Sequence, residues 1–293
     1  MRPALERDPT DLLSWQKWSR RLAQSRNAAA QEFAELLTDL RLLTRRWEGG
    51  RVVRQKRIDG YRLVVFANED VGRQIYFFGK YEEEDSAYIR QNVRETDICF
   101  DVGANVGYYT LFFSKMAKRG IVYSFEPVPL NYQVLTTNLM LNNIHNVVPN
   151  PSAVGSTKKD VDFVVARDGA YSSFVETGRK GVLERIRVPM TGLDEYCQSQ
   201  HVSRIDVLKV DVEGAEEQVI EGASGLLRDC PPRLVMLELH EPMLHLLGSS
   251  IEKVLARMQG FGYFPKVHLK GRTVPFMKEH YNRVPNVFFS KHQ

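Results

Sequence analysis

The stretch that decides the fold is ICFDVGANVGYYT, residues 98–110. An apolar run typical of a buried strand ends at Asp101, and Gly103, Asn105 and Gly107 follow before a helix-like run begins. Glycine is needed where the backbone takes a positive φ or approaches a ligand closely, and asparagine also tolerates left-handed geometry. Amides at the start of a helix can bind a carboxylate or polar group. The stretch therefore predicts a strand–turn–helix unit that binds a nucleotide-like ligand.

An acid follows the second apolar run, where such folds bind a ribose diol. This acid is Glu126 in YSFEP, about 20 residues beyond the glycine turn. A nicotinamide-dependent oxidoreductase shares this pattern, but the spacing here is DxGxNxG rather than GxGxxG. Asp101 and Glu126 together suit a ligand with an amino group and a ribose, which is S-adenosylmethionine. The alternative is that Asp101 caps the turn and Glu126 is a solvated strand end.

The rest of the chain alternates strand-like and helix-like segments, which predicts an α/β fold with a mostly parallel, doubly wound sheet. The predicted strands are 97–104, 121–127, 147–154, 205–213, 234–240 and 286–291, and the predicted helices are 106–118, 129–142, 215–228 and 249–260. VDFVVARD and RIRVPM predict an extra hairpin between the third and fourth strands. In the lead-in, residues 51–70 and 71–80 read as short strands, and 82–93 reads as a helix with an acidic first turn.

Composition narrows the class of protein. The 293 residues carry a net charge of 40 − 36 = +4, too small to argue for a nucleic-acid partner. Three widely spaced cysteines indicate a reduced, cytoplasmic chain, and no apolar run is long enough for a membrane span. Apolar residues at helical spacing over 10–47 predict an N-terminal helical appendage, which is compatible with a homodimer.

The motifs CFDVGANVGYYT (99–110), YSFEPVP (123–129), SAVG (152–155) and VLKVDVEGAE (207–216) occur in an order that resembles the FkbM family of S-adenosylmethionine-dependent methyltransferases. The resemblance implies a class I (Rossmann-like) fold whose seven-stranded sheet has its last strand antiparallel. It also implies methyl transfer to a hydroxyl of a sugar or polyketide-type natural product. The expected division is a helical appendage (1–50), a lead-in (51–95) and the methyltransferase domain (96–293).

By position in these motifs, different residues would hold the methionine end, the ribose and the adenine of S-adenosylmethionine. The methionine end would lie against Asp101, Gly103, Asn105, Gly107 and Tyr108, and Asp211 would also contact the cofactor. Glu126 would bind the ribose, while Ser152 and Ala153 would border the adenine.

The segment VLKVDVEGAEEQ places four carboxylates at one strand-to-helix corner. Because side chains alternate along a strand, Lys209, Asp211 and Glu213 share one face. Glu238 and His240 share a face in the next strand, so both polar groups should meet where the methyl acceptor sits. Charged groups at the ends of buried strands need partners or water, which suggests function.

Three roles fit this group. Asp211, Glu238 or His240 could take the proton of the acceptor hydroxyl. The same three residues could instead hold a divalent metal. This alternative is less favoured, because no compact ligand motif is present. The third possibility is that they form a hydrogen-bonded network. Glu216 and Glu217 more simply serve the helix start, and Asp168–Ser173 could be either a substrate loop or a hairpin turn.

The prediction is therefore an S-adenosylmethionine-dependent O-methyltransferase with a small-molecule or saccharide acceptor. The alternatives are a nicotinamide-dependent oxidoreductase and an inactive binding protein on a methyltransferase fold.

Overall fold

The computed structural model describes residues 51–58 and 60–291. The predicted N-terminal appendage lies outside the described residues. The strands are β1 (Val53–Ile58), β2 (Tyr61–Phe66), β3 (Ile98–Val102), β4 (Ile121–Phe125), β5 (Val147–Asn150), β6 (Ala153–Val154), β7 (Lys159–Ala166), β8 (Val182–Thr191), β9 (Val207–Val210), β10 (Leu234–Glu238), β11 (Phe264–Leu269), β12 (Arg272–Pro275) and β13 (Asn286–Ser290). The α-helices are α1 (Asp70–Arg73), α2 (Glu83–Asn92), α3 (Tyr108–Met116), α4 (Pro129–Leu141), α5 (Leu193–Ser199), α6 (Glu216–Gly222), α7 (Ser224–Asp229), α8 (Glu241–Leu246) and α9 (Ile251–Gly260).

The main sheet has the order β12-β11-β13-β10-β9-β3-β4-β5. Strands β5, β4, β3, β9 and β10 run parallel, and β13 is antiparallel to both β10 and β11. The antiparallel last strand therefore confirms the prediction. Strand β12 adds an eighth, edge strand to the seven expected, because the chain turns back directly after β11 and pairs with it.

The two faces of this sheet pack against different layers, because residues within each central strand alternate between them. Leu208 and Val210 of β9 face a core shared with α5, α6, α7 and α9. Val207 and Met236 face the opposite core, which contains residues of α3, α4 and the β1–β2 hairpin. Lys209 lies on this second face, so its ammonium group is buried between the sheet and α3.

Several predicted elements are confirmed and others are wrong. Residues 159–191 form the predicted hairpin, as β7 and β8. Residues 71–80 are not a strand: α1 continues into a π-helical turn over Gln74–Phe78. Gly72 packs there so closely on Phe66 that a Cβ would lie 2.2 Å from its carbonyl oxygen, so tertiary packing overrides the strand propensity of the aromatic run.

Two further differences bear on the site. The predicted strand 147–154 breaks at Pro151, and its end, β6, pairs with β8 in a separate three-stranded sheet. Ser152 and Ala153 therefore lie where the chain passes from one sheet to the other. The predicted helix 215–228 is divided at Ala223 into α6 and α7.

Candidate active site

The glycine turn is wedged between the ends of three parallel strands. The amides of Gly103 and Ala104 donate to the carbonyl of Phe125 at 3.0 and 2.9 Å. Gly103 has φ +81°, and a Cβ there would lie 1.8 Å from the carbonyl oxygen of Asp211. Asn105 takes φ 50°, the left-handed geometry predicted for it. Position 103 therefore requires glycine for two reasons: its backbone has a positive φ, and it lies directly against Asp211 at the end of β9.

Glu126 is buried at the end of β4 with its carboxylate against this turn. Its Oε2 accepts from the Asn105 amide at 2.8 Å, and its Oε1 accepts from the Val128 amide at 2.9 Å. Burial raises the pKa of Glu126 to about 7, although these two amides and Asn131 oppose the rise. Asn131 Nδ2 also donates to Oε1 at 3.5 Å. A carboxylate offers about four lone-pair positions, so these three hydrogen bonds leave acceptor capacity for a further ligand.

Lys209 is the cation at the centre of the site. Its Nζ lies 3.2 Å from Asp211 Oδ2, 3.7 Å from Asp101 Oδ1 and 5.1 Å from the centre of the Tyr109 ring. Burial disfavours the charge of Lys209, but Asp211 and Asp101 outweigh it and raise its pKa. Asp101 is completely buried and also accepts from Thr110 Oγ1 at 2.6 Å. Burial raises the pKa of Asp101 despite Lys209.

The predicted catalytic residues do come together at the acidic corner. Met236 pairs with Lys209 in the parallel register of β10 and β9, so Glu238 lies beside Asp211. Burial opposes ionisation of Asp211, but Lys209 and a hydrogen bond with Glu238 hold its pKa below the usual value. Burial and the Asp211 charge raise the pKa of Glu238 well above its usual range. The pair therefore shares one proton, held mainly by Glu238.

His240 continues this network on the far side of Glu238. Its Nε2 lies 3.1 Å from Glu238 Oε1, and its side chain is 30% exposed. Burial and the nearby Arg179 charge lower the pKa of His240. The imidazole is therefore neutral near pH 7 and can accept a proton.

The remaining acids of the corner have separate structural roles. Glu216 lies in the first turn of α6 and accepts from the amides of Val212 and Gly214 at 3.3 and 3.2 Å. Burial raises the pKa of Glu216 to about 7. Glu217 pairs with Arg257 at 3.2 Å. The Glu216 contacts agree with the predicted helix-start role, whereas the Glu217 pair joins α6 to α9.

One cavity of about 290 Å³ joins the glycine turn to the acidic corner. The predicted residues that line it are Asp101, Gly103, Asn105, Tyr108, Glu126, Ser152, Ala153, Asp211 and Glu238. Two others do not line it. Gly107 caps α3, and the space beside it is filled by Leu135, while His240 reaches the cavity only through Glu238.

Sequence reasoning missed one wall of the cavity and left the role of part of another open. One comes from the lead-in: Asp70, Val71, Gln74, Tyr81 and Glu82. The other comes from the segment 167–181 between β7 and β8, hereafter the strap: Gly169, Ala170, Tyr171, Ser172, Phe174 and Arg179. For Asp168–Ser173 the sequence left a substrate loop and a hairpin turn open. The segment contains a 3₁₀ turn, Gly169–Tyr171, that lines the cavity. The other wall residues carried no local signal.

Two of these missed residues are charged and lie at the acceptor side. Glu82 has left-handed backbone (φ 43°) and accepts from Tyr109 Oη at 2.6 Å. Arg179 binds Glu213 Oε2 at 3.0 Å and stacks 4.0 Å from the centre of the Tyr171 ring. Burial and the Asp211 charge raise the pKa of Glu213 to about 8, with Arg179 opposing.

Within residues 51–58 and 60–291, no group of three or more histidines, cysteines or carboxylates is arranged to hold a metal. Asp211, Glu238 and His240, the less favoured metal set of the sequence analysis, are not among such groups. The physical reason is that the Lys209 ammonium already supplies the positive charge beside Asp211.

The strand order β5-β4-β3-β9-β10-β13-β11, with β13 reversed, and the cavity at the carboxyl ends of the parallel strands define a class I methyltransferase fold. The model of the methyltransferase FkbM domain matches residues 101–265. The chain belongs to this FkbM methyltransferase family.

Individual relatives are distant. The chain is 25% identical over 220 residues to the 31-O-demethyl-FK506 methyltransferase FkbM of Streptomyces tacrolimicus, which covers 61% of this chain and 78% of that protein. It is 27% identical over 188 residues to the hexuronic acid methyltransferase AglP of Haloferax volcanii. That alignment covers 62% of this chain and 72% of AglP.

Among solved structures, a methyltransferase FkbM from Methylobacillus flagellatus aligns with a TM-score of 0.45 at 12% identity. The alignment covers 96% of this chain but 58% of that one, so the chain spans little more than half of that protein's length. No helix in the described part of the chain combines the length and apolar character that a bilayer crossing requires.

Proposed function

We propose that this protein is an S-adenosylmethionine-dependent O-methyltransferase whose acceptor is a hydroxyl of a sugar or polyketide-type natural product. The observation that carries the proposal is one cavity lined by the buried carboxylate of Glu126 at the glycine turn and by Asp211 and Glu238 at the acidic corner, with His240 behind Glu238.

The residues at the first end have the chemistry that the cofactor requires. Glu126 lines the cavity and retains acceptor capacity after binding two backbone amides and Asn131, which suits a ribose hydroxyl. Phe125, Val128, Val154 and Phe163 provide apolar lining near it, which suits an adenine. Asp101 and Asp211 lie at the other end of the turn, where carboxylates favour the amino and sulfonium charges of the methionine part.

When bound, S-adenosylmethionine supplies an electrophilic methyl group on a sulfonium. The protein's contribution is to hold the acceptor oxygen in line with that methyl and to remove its proton as the new O–CH₃ bond forms. Asp211 is the carboxylate assigned to bind the hydroxyl, because it lines the cavity and stays ionised beside Lys209.

The proton has a route out of the cavity. The acceptor hydroxyl gives its proton to Asp211, and the proton held by Glu238 moves to Nε2 of neutral His240. Asp211 and Glu238 still share one proton afterwards, and His240 becomes an imidazolium that is exposed enough to release its proton to water. Charge and protons balance, and His240 acts through Glu238 rather than on the substrate directly.

Two relatives support the acceptor class. One is named as a 31-O-demethyl-FK506 methyltransferase, and the other is named as a hexuronic acid methyltransferase. In addition, Glu82 and Glu238 are carboxyl groups beside Asp211 that can bind further hydroxyls of a polyhydroxylated acceptor.

The first experiment separates the candidate functions by ligand. A thermal-shift and calorimetric panel of S-adenosylhomocysteine, NAD⁺ and NADH is expected to show binding of S-adenosylhomocysteine alone. Binding of NAD⁺ or NADH alone would favour the oxidoreductase.

The second experiment tests turnover. S-adenosylmethionine with a deuterated methyl group is incubated with libraries of polyketides and glycosides, and products are analysed by mass spectrometry. The expected result is a labelled O-methyl ether. Cofactor binding without transfer to any hydroxyl would favour an inactive binding protein.

A further inference from the structure

The strap is fastened to the lead-in at the cofactor side of the cavity. The amide of Gly169 in the strap donates to Glu69 Oε2 at 3.0 Å. The other carboxylate oxygen of Glu69 lies 2.5 Å from Arg51 Nε. Both side chains are nearly inaccessible, with 3% of Glu69 and 9% of Arg51 exposed. Burial raises the pKa of Glu69 to about 8, while Arg51 and the Gly169 amide oppose the rise.

Arg51 reaches the proposed ribose site from the opposite side. Its Nη1 donates to Asn131 Oδ1 at 3.3 Å, and Asn131 Nδ2 lies 3.5 Å from Glu126 Oε1. Gly169 packs directly on this group, because a Cβ there would lie 2.9 Å from both Arg51 Nη2 and Asn131 Oδ1. The guanidinium also stacks 4.7 Å from the centre of the Phe66 ring, which fixes its plane.

A second anchor keeps the same turn in place. The amide of Asp70 donates to Asp168 Oδ2 at 2.8 Å, and Tyr171 Oη donates to Asp70 Oδ2 at 2.6 Å. Lys180, at the far end of the strap, pairs with Asp70 at 2.8 Å. The lead-in thus holds both ends of the strap, and Arg51 contacts Glu69 of the lead-in, Gly169 of the strap and Asn131.

We propose that Arg51 and Glu69 form a positioning pair that holds the strap turn Gly169–Tyr171 and Asn131 in the arrangement that S-adenosylmethionine binding requires. The inference rests on the proposed function. Both residues precede the segment 101–265 that the family model matches, so the lead-in completes the cofactor pocket from outside that segment. The pair touches no reacting atom and acts through Glu126 and the strap.

The test is S-adenosylhomocysteine affinity, measured by calorimetry on the full chain. Arg51→Met removes the guanidinium that holds the strap turn and Asn131 in place, and this loss of preorganisation is expected to raise the dissociation constant about tenfold. The matched control is Lys80→Met in the same lead-in, where Lys80 and Glu83 form an exposed ion pair (2.6 Å) and neither residue lines the cavity. This control should bind as the wild type does.

A double variant separates positioning from stability. Arg51→Met leaves Glu69 buried without its partner and should lower the melting temperature, whereas Arg51→Met with Glu69→Met replaces the pair by apolar side chains and should recover stability. The proposal requires that affinity stays weak in the double variant. If the double variant recovers both stability and affinity, the pair has only a structural role and the proposal is overturned. Unchanged affinity in Arg51→Met would also overturn the proposal.

Hydrogen exchange on the wild type provides a readout that does not depend on variants folding. Saturation with S-adenosylhomocysteine should slow amide exchange in strap peptides covering 167–175. Unchanged exchange there, with binding established by calorimetry, would refute the proposal while leaving the proposed function intact. Failure of the wild type to bind S-adenosylhomocysteine would overturn the proposed function and this inference together.

Discussion

The pH dependence of cofactor-product affinity tests the role of Glu126 through a quantity that the structure sets. Burial raises the pKa of Glu126 to about 7. A ribose diol donates hydrogen bonds to the ionised carboxylate, so binding must remove the proton that Glu126 carries at low pH. The apparent dissociation constant then scales as 1 + 10^(pKa − pH). This factor is about 11 at pH 6 and about 1.1 at pH 8, so affinity for S-adenosylhomocysteine should rise about tenfold across this interval.

The assay is isothermal titration calorimetry at five pH values between 6 and 8. Repetition at pH 7 in buffers of different ionisation enthalpy should show release of about half a proton per ligand bound. Folding stability should change in the opposite direction. Because the native-state pKa of Glu126 lies above its unfolded value of 4.5, the native state binds more protons between these values, and its free energy of unfolding falls as pH rises through about 7.

Two variants assign the pH dependence to one group. Glu126→Gln should bind weakly with no tenfold rise. Glu216→Gln is the matched control, because Glu216 is also buried, binds two backbone amides and has a pKa of about 7, yet does not line the cavity. It should retain the tenfold rise. A flat affinity profile in the wild type, or a rise that survives Glu126→Gln, would refute the assignment of Glu126 to the ribose.

Other predictions concern the rest of the site. Gly103→Ala should lower the free energy of unfolding by at least about 2 kcal/mol, because it combines positive φ with a clash against the Asp211 carbonyl; an unchanged calorimetric melting temperature would contradict this. Lys209→Met should cost about 3–5 kcal/mol, since it leaves buried carboxylates unpaired, and denaturant titration that shows less than 1 kcal/mol would argue against it. His240→Ala should lower kcat at least about 100-fold with unchanged S-adenosylhomocysteine affinity. The control is His245→Ala, at an exposed histidine on α8, which should leave kcat unchanged. Equal rates in both variants would remove His240 from the relay. Turnover should survive a chelator, and its loss, restored by a divalent metal, would reopen the metal alternative.

The glycine turn and Glu126 were predictable because their signals are local. A strand, a turn with residues tolerant of positive φ and a helix follow within 13 residues, 98–110, and the acid closes the next strand. The neighbouring positions of Asp211 and Glu238 were also predictable. In parallel strands, alternation sets which residues share a face, and the observed register places the two side by side.

The walls of the cavity could not be read from the sequence in the same way. Glu82 meets Tyr109 across 27 residues, and Glu69 meets Gly169 across 100. Contacts of this range depend on how separate elements pack, and no pattern within either segment encodes them. The helical structure at 71–78 has the same origin, since Gly72 fits a helical turn against Phe66 where propensity alone favours a strand.

The most direct test of the central claim is a crystal structure of the protein with S-adenosylhomocysteine. The account predicts that both ribose hydroxyls lie within hydrogen-bonding distance of the Glu126 carboxylate and that the sulfur points toward Asp211 and Glu238. A ligand bound outside this cavity, or bound with its ribose away from Glu126 and its sulfur away from the acidic corner, would contradict it.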